Sequence, residues 1–206
     1  MSCRLHQPNH PNIEANTMNL AAQHRLISID EYLEGETRSD IRHEYLAGEV
    51  YAMAGAGEKH NRIAGNFFFH LRAVSRGKAC GVFISDMKLR IDASDSFYYP
   101  DVLVSCDPQD TQPLFKKLPC LLVEVLSPST EAIDRREKLL AYRKLPSLRH
   151  YLLVSQEQRW VQWHLRDDAG QWLISEFDGS GTLDLTCPGL ALSLSLDDIY
   201  EDVNLA

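Results

Sequence analysis

The chain has 206 residues, of which 44% are hydrophobic and 24% charged, a composition that excludes a mostly disordered protein. Its formal net charge of −8 argues against nonspecific nucleic-acid binding by the whole surface. The longest apolar run, Val50 to Ala54, is far shorter than the about 20 residues of a membrane helix. Because no secretory signal is visible either, we expect a soluble, cytoplasmic protein without a membrane segment.

The N-terminal part predicts an extension followed by a small helix and a hairpin. Residues 1–25 are rich in Asn, His, Gln and Pro without periodicity, so we expect them to be disordered. A single domain is then expected over residues 26–206. Ser28 and Glu31 predict a capping box at the start of a short helix over 29–33. Residues 43–46 and 49–53 flank an Ala-Gly turn and predict a β-hairpin.

Residues 58–76 predict a helix, because their apolar side chains recur every three or four positions. This stripe consists of Ile63, Phe67, Leu71 and Val74. His60 begins the stripe and should therefore point inward. It is either a hydrogen-bonded core histidine or a member of a functional site.

The period of the pattern then changes to two, which predicts strands. We expect strands over 82–91, 98–104, 121–126, 150–154, 160–165 and 172–174. The run 121–126 is apolar on both faces except at Glu124, so it belongs in the middle of a sheet. A helix over 131–144, capped by Ser129 or Thr130, and a short last helix from Asp197 complete an α/β domain with a mixed sheet.

The cysteines predict no metal or redox motif from their spacing. There are five, an odd number, and no two lie at the separation of a zinc knuckle or a redox pair. We therefore expect Cys80, Cys106 and Cys120, which lie in strand-like sequence, to be buried reduced thiols.

Two acidic residues conflict with their apolar surroundings. Glu124 lies inside a buried strand, where a lone ionised carboxylate is costly, and Asp101 precedes a similar apolar run. If the two strands are neighbours, strand alternation brings both carboxylates to one place. Such a pair suits Mg²⁺ or Mn²⁺. The alternative is that each acid is a structural partner of an Arg side chain or of backbone amides.

These residues resemble a known family. Residues 99–102 (Tyr-Pro-Asp-Val), followed after about twenty residues by 123–130 (Val-Glu-Val-Leu-Ser-Pro-Ser-Thr), resemble the Uma-type (Uma-two) endonuclease family of the PD-(D/E)XK superfamily. Residues 42–49 and 53–55 upstream, and Lys138 and Tyr142 downstream, extend the resemblance across about residues 26–200. It implies a restriction-endonuclease-like fold, with a central mixed β-sheet flanked by helices.

The resemblance also implies site residues. Asp101 and Glu124 would bind a divalent metal ion, Mg²⁺ or Mn²⁺, and Glu44 would be a third ligand or a water-orienting group. The superfamily usually has a lysine two residues after the Glu, where this chain has Leu126. A helix-borne lysine, here Lys138, would take over that role.

Three further residues remain candidates from the sequence pattern. Lys88 is the alternative lysine, since a hairpin turning near Ser94 would place it almost opposite Asp101. Asp86 is another acid within an apolar run and could join the cluster. His60 could reach the same place from its helix.

The expected function is Mg²⁺-dependent endonucleolytic hydrolysis of phosphodiester bonds in DNA, with a homodimer as one possible arrangement. The stretch 135–149, which carries six basic residues, is the expected DNA contact, together with Arg72, Arg76 and Lys78 if they reach the same side. Leu126 and the net charge favour a rival, a catalytically inactive module for nucleic-acid or protein binding. A phosphoesterase acting on nucleotides or RNA is a weaker rival.

Overall fold

The computed structural model describes residues 25–128 and 130–205. The predicted disordered extension therefore lies almost wholly outside the described residues, as does Ser129. Helix α1 (Ile29–Glu36) begins with the predicted capping box. The Ser28 hydroxyl accepts a hydrogen bond from the Glu31 amide at 3.2 Å, and the Glu31 carboxylate accepts one from the Ser28 amide at 2.8 Å.

A six-stranded mixed sheet forms the centre of the fold, with strand order β11-β10-β9-β8-β6-β3. Its central strand pairs antiparallel with β6 and parallel with β9, and all of its residues are buried, as the apolar run predicts. The strands are β3 (Gly81–Ile84), β6 (Val102–Ser105), β8 (Leu121–Leu126), β9 (His150–Ser155), β10 (Trp160–Arg166) and β11 (Trp172–Asp178).

A second, five-stranded sheet has the order β2-β1-β5-β4-β7. It contains the predicted hairpin, in which Tyr45 lies opposite Val50. Tyr45, Phe97 and Tyr32 of α1 form a small apolar cluster on this sheet. The strands are β1 (His43–Leu46), β2 (Glu49–Ala52), β4 (Lys88–Ile91), β5 (Ser96–Tyr98) and β7 (Phe115–Lys116).

Helices cover both faces of the six-stranded sheet. Helix α2 (Glu58–Ser75) places its predicted stripe, including Phe67, in the core cluster that contains Val104 and Val123. Tyr142 packs in the cluster of the opposite face with Leu122. The remaining elements are α3 (Glu131–Ile133), a π-helical turn (Asp134–Lys138), α4 (Leu139–Tyr142), β12 (Thr182–Cys187), β13 (Leu190–Ser195) and α5 (Leu196–Ile199). None of the helices in the described part of the chain is long and apolar enough to cross a bilayer.

Two predicted strands are wrong, because each divides between the two sheets. The run 82–91 breaks after β3, where Ser85 takes a left-handed conformation with φ of 56°, so β4 starts in the other sheet. The run 98–104 breaks between β5 and β6 at Pro100, which has no N–H to donate to a ladder. The chain thus crosses between the sheets at two adjacent places.

The prediction of reduced thiols is also wrong, since four cysteines form two disulfides. Cys80 bonds to Cys106, and Cys120 bonds to Cys187. The partners are 26 and 67 residues apart in sequence. Spacing along the chain therefore could not reveal these pairs, because they join segments that only the fold brings together.

Candidate active site

A pocket of about 500 Å³ opens where the chain crosses between the two sheets. Both crossing segments line it, as do the start of α2 and the π-helical turn. Its charged or titratable lining residues are Arg42, His60, Asp86, Asp101, Glu124, Asp134 and Lys138. The pocket therefore concentrates carboxylates at a place that solvent can reach.

Strand register brings Asp101 and Glu124 together, as strand alternation predicts. Val102 pairs with Val123 across antiparallel strands. Asp101, immediately before Val102, therefore faces Glu124, immediately after Val123. The Asp101 Oδ2 atom accepts a hydrogen bond from the backbone N–H of Val125 at 2.7 Å. Glu124 is only 3% exposed. The two acids thus converge at the end of the central strand pair, and their role as metal ligands stays a prediction.

Lys138 lies among three carboxylates that come from three different elements. Its Nζ atom is 3.1 Å from Glu44 Oε1, 3.3 Å from Glu124 Oε1 and 3.1 Å from Asp134 Oδ1. These acids belong to β1, β8 and the π-helical turn, respectively. The structure therefore places the predicted residues Glu44, Glu124 and Lys138 in one cluster, and it adds Asp134.

Asp134 and Lys138 stand four residues apart within the π-helical turn, and both side chains enter the cluster. Such a turn widens the helix by one residue and is frequent at functional sites. Tyr151 donates a hydrogen bond to the Asp134 backbone carbonyl at 3.0 Å, and Tyr142 donates one to Glu124 Oε1 at 2.6 Å. The sequence shows the four-residue spacing of Asp134, Lys138 and Tyr142, which was the available signal for Asp134 as a site residue.

The charges of the cluster do not balance within the protein. Burial is the main cause that raises the pKa of Glu124 well above its usual value; Lys138 lowers it, and the charges of Asp134 and Asp101 raise it further. Burial alone would lower the pKa of Lys138, but Glu124, Glu44 and Asp134 raise it well above its usual value, so the ammonium stays charged. Three carboxylates thus surround one permanent cation, and Asp101, which pairs with His60, lies close enough to Glu124 to raise its pKa. Such a group favours binding a proton or a further cation.

His60 reaches the cluster from the first turn of α2, as its inward position predicts. Its Nε2 atom lies 3.2 Å from Asp101 Oδ2, the oxygen that also accepts the Val125 amide. Burial by itself would lower the pKa of His60, but the hydrogen bond and the charge of Asp101 raise it. The histidine and the amide together fix the orientation of the Asp101 carboxylate.

Lys88 and Asp86, the alternative candidates, pair with groups other than the carboxylates around Lys138 in the described part of the chain. The break after β3 turns the Asp86 side chain outward, where it is 72% exposed and pairs with Arg42 at 3.2 Å. Lys88 lies on the second sheet with its Nζ atom 5.3 Å from the centre of the Tyr99 ring. A continuous strand was needed to direct either residue toward Asp101.

Some of the basic residues predicted to contact DNA are engaged in ion pairs, and their role as a contact surface stays a prediction. Arg135 pairs with Glu131 at 2.7 Å, and Arg149 pairs with Asp168 at 3.0 Å. Arg72 lies about 18 Å along α2 from His60, given a rise of 1.5 Å per residue. Arg76 and Lys78 follow it at that end of the helix. The exposed cations of the stretch 135–149 are Arg136 and Lys144.

Comparisons with known proteins identify the family and agree with this fold. A family model described as "Uma2: Putative restriction endonuclease" matches residues 29–197. The chain is 40% identical over 179 residues to "Uncharacterized protein slr1290" of Synechocystis sp., an alignment that covers 84% of this chain and 91% of that protein. It is 33% identical over 165 residues to "Uncharacterized protein sll1609" of the same organism, with 79% and 93% covered.

A solved structure shares the fold. It is a crystal structure described as "a putative nuclease belonging to DUF820 from Anabaena variabilis", and its TM-score to this chain is 0.66. The sequence identity is 16%, and the match covers 82% of this chain and 97% of that chain. At this identity the likeness shows the fold alone. The family model and the relatives of 40% and 33% identity show that the chain belongs to the Uma2 family.

Proposed function

We propose that this chain is an endonuclease that depends on Mg²⁺ or Mn²⁺ and hydrolyses phosphodiester bonds in DNA. The observation that carries the proposal is the group of three carboxylates around the Lys138 ammonium, with Asp101 beside Glu124, at an open pocket. The fold and the family description support the same class of reaction. A homodimer, in which two sites address the two strands, is part of the proposal.

The donor set fits a hard divalent cation. Mg²⁺ and Mn²⁺ prefer oxygen ligands, and Mg²⁺ typically takes one or two carboxylates and keeps several waters. Asp101 and Glu124 would hold the ion, with Glu44 or Asp134 as a further ligand. Glu44 Oε1 and Asp134 Oδ1 are buried and, within the described residues, make no hydrogen bond beyond their ion pairs with Lys138. When bound, the ion would polarise the scissile phosphate and lower the pKa of the attacking water.

The surrounding residues would prepare the site for a phosphodiester. Val125 and His60 hold Asp101 Oδ2, so this carboxylate stays directed by its neighbours before any substrate arrives. The ammonium of Lys138 offsets charge on the acids and would do the same for the phosphate in the transition state. Lys138 reaches Glu124 from the helix. Leu126, two residues after Glu124 on the strand, is instead buried in an apolar cluster.

The rival proposal is a catalytically inactive module for nucleic-acid or protein binding, and Leu126 is the observation that favours it. The superfamily's usual strand lysine is absent, and the net charge of the chain is −8. Metal affinity separates the two proposals, because a binding module has no need to hold a cation at the carboxylates. A phosphoesterase for RNA or nucleotides is separated by its substrate.

The proposal is tested by cleavage of covalently closed circular DNA, which an exonuclease cannot attack. We expect Mg²⁺ or Mn²⁺ to support nicking or linearisation of the circle, EDTA to abolish it, and Glu124→Gln to abolish it. Asp86→Asn is the matched control, since Asp86 lies in the same pocket but outside the cluster. Circular RNA under the same conditions tests the substrate class. Cleavage that survives Glu124→Gln, or an intact DNA circle under all conditions, would contradict the proposal.

A further inference from the structure

Four cysteines meet at one end of the six-stranded sheet, far along the chain from one another. Cys80 precedes β3, Cys106 follows β6, Cys120 precedes β8 and Cys187 ends β12. In the strand register, Gly81 pairs with Ser105 and Val104 pairs with Leu121, which brings the first three of these cysteines to the same end of the sheet. The hairpin β12–β13 delivers the fourth from a separate sheet.

The sulfur atoms are close enough to bind one metal ion together. Cys106 Sγ lies 3.9 Å from Cys120 Sγ, and the sulfurs of Cys106, Cys120 and Cys187 all lie within 4.8 Å of one another. Cys80 is bonded to Cys106 and so adjoins the same group. In a tetrahedral zinc site with Zn–S bonds of about 2.3 Å, neighbouring sulfurs are about 3.8 Å apart. Cys106 Sγ and Cys120 Sγ therefore already lie near the separation that such a site requires, and reduction of the two disulfides would let the bonded sulfurs move apart to it.

The surroundings favour a structural rather than a reactive site. Cys106, Cys120 and Cys187 are buried at 7%, 4% and 8% exposure in the apolar cluster between the sheet and α2, and Cys80 packs against that cluster. A set of four thiolates selects a soft or borderline cation such as Zn²⁺ over Mg²⁺. This donor set differs from the oxygen ligands of the carboxylate pocket, so the two places would bind different metals.

We propose that these four cysteines, when reduced, form a structural zinc site, and that the two disulfides are the oxidised, metal-free form of the same centre. Zinc binding releases four protons from the thiols and gives a ZnS₄ group of net charge −2. Two peroxide molecules, as the oxidant, reverse this state. The four thiolates lose four electrons as two S–S bonds form, the peroxides take up these electrons with four protons and become four waters, and Zn²⁺ leaves.

Both states attach the C-terminal hairpin to the sheet. Cys187 is the residue that the hairpin contributes to the cysteine group. It bonds to Cys120, which lies just before the central strand β8. Reduction without zinc would remove this attachment together with the Cys80–Cys106 link. Zinc would restore it by binding the folded state, which links metal affinity to stability.

The test uses the full-length protein, reduced with a phosphine without oxygen and titrated with Co²⁺ and then Zn²⁺. We expect one equivalent of Co²⁺ to give the intense sulfur-to-cobalt charge-transfer absorption that only thiolate ligands produce, and Zn²⁺ to displace it. Zinc should also raise the melting temperature of the reduced protein. Peroxide should then release the zinc while four thiols become unreactive to Ellman's reagent.

Two variants make the assignment specific. Cys187→Ser should lose the cobalt absorption or weaken Co²⁺ binding at least tenfold, whereas Cys3→Ser, which removes the fifth cysteine, should bind like the wild type. Circular dichroism first establishes that each reduced protein is folded. The proposal is overturned if the folded, fully reduced wild type gives no charge-transfer absorption with Co²⁺, or if Cys187→Ser binds as tightly as the wild type.

Discussion

At the scale of single residues, Lys138 acts as the internal counter-charge of the carboxylate cluster. Its ammonium is 6% exposed and lies between 3.1 and 3.3 Å from three carboxylate oxygens. A buried ion pair that loses one partner destabilises a protein strongly, because the remaining charge is left without compensation. The carboxylates should therefore need another cation whenever Lys138 is absent.

We predict that Lys138→Met lowers the free energy of unfolding by about 3–5 kcal/mol in EDTA. Mn²⁺ should then stabilise the variant more than it stabilises the wild type, because the ion replaces the missing positive charge. Urea unfolding with EDTA and with Mn²⁺ measures both effects. Lys144→Met, an exposed position in the same segment, is the control and should change little. Equal Mn²⁺ stabilisation of variant and wild type would contradict this role of Lys138.

At the scale of elements, the break after β3 decides which residues reach the pocket. Ser85 is exposed, has a φ of 56°, and donates its backbone N–H to the Asp101 carbonyl at 3.0 Å. The left-handed region is unfavourable for residues with a Cβ, by about 1–2 kcal/mol, and glycine is free of this penalty. Side-chain preferences at position 85 should therefore be opposite to those of a strand.

We predict that Ser85→Gly is more stable than Ser85→Val by about 1–2 kcal/mol. The same two changes at Ser175, an exposed residue within β11, are the matched control. There valine should be the more stable, because β-branched residues fit extended strands and glycine does not. Denaturant midpoints of the four variants give the comparison. A more stable valine at position 85 would instead support one continuous strand over 82–91.

Local patterns predicted the elements whose evidence is local. The capping box of Ser28, the stripe of α2 with His60 inward, and the central buried strand around Glu124 are present as expected. The alternation of side chains along the strands also predicted that Asp101 and Glu124 lie close together. Lys138 and Glu44 were predicted from the family resemblance. In the structure, the Lys138 ammonium contacts both Glu44 and Glu124.

The features that the sequence did not reveal depend on contacts between distant segments. The alternating pattern continues across Ser85, which is not a glycine, so nothing marks the change of sheet. The π-helical turn has no distinct sequence signal, although the four-residue spacing of Asp134 and Lys138 is visible in the sequence. Cysteine pairing likewise depends on contacts between segments that are distant in the chain rather than on spacing. In each case the tertiary structure overrides the local pattern.

At the scale of the whole molecule, two buried histidines join the outer strands to the core. Burial lowers the pKa of His150 to about 4, with Arg149 acting in the same direction. Burial and the nearby Arg143 likewise lower the pKa of His164 to about 4. Trp163 donates its indole N–H to His150 Nδ1 at 3.1 Å, a bond that a proton on that nitrogen would break.

These two histidines should therefore each lower the stability of the fold as the pH falls from about 6.5 to about 4. In this range the unfolded chain binds a proton at each histidine, with its ordinary pKa of 6.5, while the folded chain does not. Each histidine should contribute a loss of about 3 kcal/mol across that range. Urea unfolding at a series of pH values measures the slope. His150→Gln should reduce the slope of the unfolding free energy against pH by the equivalent of about one proton. An unchanged slope would contradict the account.

The central claim is that the pocket between the two sheets binds a catalytic divalent metal ion through Asp101 and Glu124. Calorimetric titration of Mn²⁺ into the full-length protein, with and without a DNA duplex, tests it most directly because no target sequence is needed. We predict binding that is lost in Asp101→Asn and in Glu124→Gln and kept in Asp86→Asn. A wild type that binds neither Mn²⁺ nor Mg²⁺, even with DNA present, would contradict the claim.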